Sequence, residues 1–89
     1  MNAIIAVIGQ DRTGILAKIS AVCAERGANI TDVTQTVMQK YFAMIMLADI
    51  TDLDSDFVEF TKTVKAAGEE IGMTVHVMHE DIFNSMHRV

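Results

Sequence analysis

Proline and tryptophan are absent from this sequence, and cysteine and tyrosine occur once each. The single Cys23 excludes an intramolecular disulfide, and its place on the apolar face of an expected helix points to a buried, inert thiol. Bases are scarce as well: seven lysines and arginines stand against twelve acids, for a net charge of −5 and a pI near 4.9. A surface of that sign repels a phosphate backbone and an anionic membrane face, so neither nucleic acid nor a membrane is an expected partner. No apolar run approaches the roughly 20 residues of a bilayer-spanning helix. The first strand-like run, Ala3 to Ile8, has no basic leader before it and no small-residue cleavage site after it, and a cytoplasmic location is expected.

What the chain does have is apolar side chain: 51% of its residues are hydrophobic and 21% charged. That composition supports a packed core rather than disorder. Eighty-nine residues leave room for one domain, spanning 1–89. So large an apolar fraction in so short a chain predicts that part of it is buried against another subunit, in a homodimer or higher homo-oligomer.

Asn2 to Gly9 is apolar on both alternating faces and ends at a glycine, as a central strand does. After a polar turn, Ile15, Leu16, Ile19, Val22 and Cys23 recur at helical spacing to about Arg26, and Gly27 is a natural stop. Ile30 to Met38 is rich in threonine and valine and reads as a half-exposed strand. Gln39 and Lys40 form a short break before the apolar run Tyr41 to Ile50, which suggests a hairpin. Asp54 or Ser55 is placed to cap a helix carrying Phe57, Phe60, Val64 and Ile71. Gly68 and Gly72 weaken its last turn, and Met73 to His79 follows as a strand. Ile82, Phe83, Met86 and Val89 fall on one stripe of a short amphipathic C-terminal helix over about 81–89.

The order is βαββαβ, which predicts an α+β, ferredoxin-like sandwich: a four-stranded antiparallel sheet with two helices on one face, plus the tail helix. The first and third strands should be central, because both are apolar on both faces. Ile4, Ala6 and Ile8, or their alternates, must then look out from the face without helices. Leaving several such side chains in water forgoes several kcal/mol at about 25 cal/mol per Å2, so something is expected to cover that face.

Two segments carry candidate chemistry. Asp11, Arg12, Thr13, Gly14, Ile15 and Leu16 lie between the first strand and the first helix, where unpaired N–H groups and a glycine favour a carboxylate. The plain alternative is that Asp11 or Thr13 caps the helix and Gly14 eases a turn. Asn29, followed by Ile30 and Thr31, offers an amide able to donate to a carboxylate and accept from an ammonium; its plain role is turn formation. His76, His79 and His87 suggest a metal, but His76 and His79 point to opposite faces of a strand, and no metal or other cofactor is expected.

The succession of a strand, Asp11-Arg12-Thr13-Gly14-Ile15-Leu16, a helix and Gly27-Ala28-Asn29-Ile30 resembles the ACT domain family, the amino-acid-sensing modules of metabolic enzymes and regulators. With Tyr41-Phe42 and the acidic tail, the chain looks closest to free-standing single-ACT proteins of prokaryotes, the UPF0237 type, and is distantly similar to regulators of glycine cleavage. The resemblance implies that an amino acid or similar metabolite sits where Asp11, Arg12, Thr13, Gly14, Ile15 and Leu16 meet Asn29, Ile30 and Thr31 of a neighbouring subunit. Many members carry proline at the position of Thr13, so the loop here is less rigid. The sequence carries no catalytic domain of the kind that many members regulate in cis, so any regulated target is expected to be a separate protein.

Three other functions fit the topology. An RNA-recognition module needs aromatics on central strands and a basic surface; Phe42 is a single candidate and the charge is wrong. An acylphosphatase-like enzyme would use Arg12 to bind phosphate, yet no nucleophile and base accompany it. A constitutive protein-interaction module without ligand needs none of these groups. The expectation is a non-catalytic regulatory protein.

Overall fold

In a computed structural model, which describes residues 1–86, the order is β1 (Asn2–Gln10), α1 (Ile15–Glu25), β2 (Asn29–Met38), β3 (Tyr41–Asp49), α2 (Phe57–Glu70), β4 (Thr74–His79) and α3 (Glu80–Met86). The strands form one sheet in the order β2-β3-β1-β4, and every neighbouring pair is antiparallel. β1 and β3 are central, as their apolar character on both faces required.

Alternation decides which residues meet the helices. Ala3, Ile5 and Val7 of β1 and Phe42, Met44, Met46 and Ala48 of β3 are buried, and they share a core with Ile15, Ile19 and Cys23 of α1 and Phe60 and Val64 of α2. These helix residues recur at every fourth position, the spacing that places them on one stripe. Packing α1 beside α2 on this face completes the two-layer sandwich.

Local chemistry sets the boundaries. Gly27 ends α1 with φ +85°, and a Cβ there would collide with the carbonyl oxygen of Asp52, so the position excludes any side chain. β2 and β3 are joined by Gln39 and Lys40 alone, with Met38 paired to Tyr41 and Gln39 at φ 56°. α2 is capped by Asp56 rather than by Asp54 or Ser55: Asp56 is extended, and its Oδ1 accepts from the Glu59 N–H at 2.8 Å. Asp54 is engaged elsewhere, its Oδ2 3.4 Å from Nη1 of Arg26 and its N–H donating to the Arg26 carbonyl at 3.0 Å.

The tail helix begins at Glu80, directly after β4, and packs on β1 and β4 of its own chain. His79 anchors its start: Nδ1 accepts from the Asp81 N–H at 3.2 Å, and the ring meets Phe57 edge-on at 5.8 Å. Of the expected apolar stripe, Phe83 is half-buried while Ile82 and Met86 are exposed, and Val89 lies outside the described residues. No helix of the described residues is long and apolar enough to cross a membrane.

Candidate functional site

The loop after β1 is held from both sides by backbone acceptors. Asp11 N–H donates to the Lys40 carbonyl at 2.8 Å, tying the loop to the hairpin turn. Arg12 Nη1 donates to the Ile71 carbonyl at 3.4 Å, at the end of α2. Between these ties lies an open concavity of about 920 Å3, lined by Gln10, Asp11, Arg12 and Thr13 together with Tyr41 and Gly72 among others. Lys40 stands over the Tyr41 ring, its Nζ 5.5 Å from the centroid. A guanidinium and a carboxylate on adjacent residues offer opposite charges to one ligand, the chemistry that suits a zwitterion.

Gly14 is the N-cap of α1 at φ +88°, and no side chain caps the helix, so neither Asp11 nor Thr13 takes the capping role. The first-turn N–H groups are therefore left to solvent or to a ligand. A Cβ on Gly14 would meet nothing within 4 Å, so its left-handed backbone, not crowding, is what calls for glycine.

Asn29, Ile30 and Thr31 lie elsewhere. In the sheet, Asn29 pairs with Asp49, which pairs with Asn2; at the other end Met38 pairs with Tyr41, which pairs with Gln10. The Asp11 loop and Asn29 are thus at opposite ends of the same chain's sheet, about eight residues or roughly 25 Å apart along the strands. A register shift between Ile30 and Asp32 leaves Thr31 as the extra residue of a bulge, its Oγ1 donating to the Leu47 carbonyl at 3.2 Å.

Of the first segment, only Asp11, Arg12 and Thr13 line the concavity. Ile15 is buried in the core, and Leu16 is exposed on α1. Sequence reasoning missed Tyr41, Ile71 and Gly72 as neighbours of the loop. Two local signals were available: a glycine ending α2 and an aromatic opening β3. Their convergence depends on the β1–β3 and β1–β4 pairings, which no local pattern encodes. His76 and His79 do face opposite ways, His76 lining the open face of the sheet and His79 touching α2, while His87 lies outside the described residues. No group of three His, Cys, Asp or Glu among the described residues is placed to hold a metal ion.

Two titrating groups stand apart from this region. Burial pushes the Cys23 thiol up to about 11, which makes it unreactive at neutral pH. Asp49 is lowered by the Thr51 hydroxyl at 2.6 Å, then by the Thr51 N–H at 2.9 Å.

With this geometry established, likeness to known proteins is informative. A family model described as "ACT domain" matches residues 2–78. The chain belongs to the ACT domain family. It is 56% identical over 88 residues to a UPF0237 protein of Methanocaldococcus jannaschii, covering 99% of this chain and 98% of that protein. An ACT domain protein from Streptococcus pneumoniae superposes with a TM-score of 0.82 at 36% identity, over 93% of both chains. The ligand-free regulatory subunit of aspartate kinase from Thermus thermophilus superposes at 0.67 with 28% identity, over 88% of this ACT domain and 50% of that chain. The ferredoxin-like βαββαβ fold is the ACT fold, and α3 lies beyond the residues that the family model matches.

Proposed function

We propose that this ACT domain is a non-catalytic regulatory protein that binds an amino acid or similar small metabolite at a subunit interface and thereby modulates a separate partner protein. Asp11, Arg12, Thr13 and Gly14 of one subunit contribute one half of the site. Asn29, Ile30 and Thr31 of the neighbouring subunit contribute the other. Ile15 supports the loop from the core, and Leu16 flanks it.

The observation that carries this reading is the combination of an uncovered edge with the separation of the two segments. β2 is an edge strand whose ten residues include one charged side chain, Asp32, and no proline. Such an edge is a template for pairing with another strand. Antiparallel pairing of β2 with its own copy about a two-fold axis sets Asn29 of one subunit beside Met38 of the other, and Met38 pairs with Tyr41 at the wall of the concavity. A two-fold dimer through β2 therefore brings the two segments that one chain keeps apart to the same end of the sheet, about three strand spacings or roughly 14 Å from each other. Support by likeness comes from the aspartate kinase relative, which is itself a regulatory subunit.

A thermal-shift screen of the twenty common amino acids on the full chain tests the proposal. Ligand at about one hundred times its Kd raises apparent stability by about 2.7 kcal/mol, a shift of several degrees in a domain of this size. Loss of the shift in Arg12→Ala or Asn29→Ala would locate it. If none of the twenty moves the transition, a constitutive protein-interaction role becomes the better reading.

A further inference from the structure

The face of the sheet away from α1 and α2 holds a second depression, and its floor can be read from the strand register. One row across all four strands runs Thr34, Ile45, Ala6, His76; the next runs Asp32, Leu47, Ile4, Met78. Each row is apolar at its centre, and Ala6 is the small residue between Ile45 and His76. α3 forms one wall, contributing Phe83. The half-open space between them is about 420 Å3, within the range of small-molecule sites.

Its charge is one-sided. Among the described residues that line it, Asp32 is the only acid, and no lysine or arginine joins it. Asp32 Oδ1 accepts from the Val33 N–H at 2.9 Å, which fixes the carboxylate at the β2 end of the trough. Among the described residues of α3 none is fully buried, and Phe83 is the one that lines the space.

We infer that this trough is a second ligand site, separate from the Asp11 loop, for a primary amine with an apolar body. The apolar body lies over Ala6 between Ile45 and Ile4, beneath Phe83, and the ammonium reaches Asp32. The distance from β1 to β2 is two strand spacings, about 10 Å, which matches a ring carrying a four-carbon chain. Among the described lining residues no lysine or arginine offsets the Asp32 carboxylate, so anions and zwitterions are disfavoured. The site is thus distinct in ligand chemistry from the amino-acid site proposed above.

The test is an NMR titration of the isotopically labelled full chain with 4-phenylbutylamine and with 5-phenylvalerate, which share an apolar body and differ in charge. The amine is expected to shift the amides of Ile4, Ala6, Ile45 and Met78 while leaving those of Asp11 to Gly14 unmoved. It should bind about tenfold more tightly than the acid, the attraction in one case and the repulsion in the other each contributing about threefold. Asp32→Asn should remove this preference, and Ala6→Phe, which fills the floor, should abolish binding of both. Should Ala6→Phe fail to fold, Phe83→Ala supplies the same readout, with at least severalfold weaker binding and an otherwise unchanged spectrum. Equal affinity for amine and acid, or insensitivity to Asp32→Asn, overturns the inference. So does a finding that the trough amides shift on simple dilution and that Ile45→Arg yields a monomer that binds no amine, since the face is then a contact between copies of the chain.

Discussion

On the helix side of the sheet, Ile5, Val7, Met44 and Met46 are fully sealed from solvent, whereas their immediate neighbours in sequence, Ile8 and Ile45, are 50% and 57% exposed on the other side. Nothing in residue type distinguishes the two sets. What separates them is that two long helices close one face, while among the described residues the other carries the seven-residue α3 alone. An apolar side chain on the helix side is therefore part of a packed interior, and one on the open side is available for a ligand or another subunit.

The largest expected contrast comes from truncating one residue on each side. Phe60→Ala leaves a cavity at the centre of the covered face and should cost about 3–5 kcal/mol. Ile8→Ala, at a site already half in water, should cost under about 1 kcal/mol. Urea denaturation of the two variants measures the difference. Equal losses would mean that the open face is as tightly packed in solution as the covered one, through a partner.

Added atoms should show the same asymmetry on a smaller scale. A Cβ on Gly68 would collide with Cγ2 of Val75, so Gly68→Ala should cost about 1–3 kcal/mol through overpacking between α2 and β4. At Gly14, at the edge of the candidate site, a Cβ meets no neighbouring atom, and asparagine tolerates the left-handed backbone; Gly14→Asn should cost less than about 1 kcal/mol while ligand binding weakens. If the two variants lose equal stability, Gly14 is a structural turn residue rather than an opening to the backbone.

A further contrast concerns pH. Cys23 is fully buried on the covered side, with its thiol raised from 9.0 to about 11. Its folded pKa exceeds the unfolded value, so the unfolded chain loses the thiol proton first as pH rises. Stability should be unaffected by this group below about pH 9 and should fall between about 9 and 11. Cys23→Ala should flatten that part of the stability profile, and a thiol reagent should react at neutral pH only with unfolded chain.

Much of this architecture was legible in the sequence. The apolar runs of β1 and β3 identified them as central, Gly27 marked the end of α1, and Gln39-Lys40 marked the hairpin. The choice of Asp56 over Asp54 as cap was not legible, because it depends on Arg26 holding Asp54 from another part of the chain. Nor was the start of α3 at Glu80, which relies on His79 turning back to the Asp81 N–H. At the site, the motif from Asp11 to Leu16 drew attention to the right loop but treated six consecutive residues alike. Helical geometry divides them, sending Ile15 into the core and leaving Asp11, Arg12 and Thr13 at the concavity. The separation of that loop from Asn29 follows from register, and it is the feature that makes a second subunit necessary to the proposed site.

That necessity is open to a subunit-mixing measurement. Arg12→Ala and Asn29→Ala should each bind none of the amino acid that gives the wild-type chain its largest thermal shift. Mixed one to one and allowed to exchange, they should recover about a quarter of the wild-type sites by calorimetric titration, because half the dimers are then mixed and each carries one complete site of two. A mixture that remains as inactive as its components, while both variants are dimeric and exchange freely, would contradict a site shared between subunits.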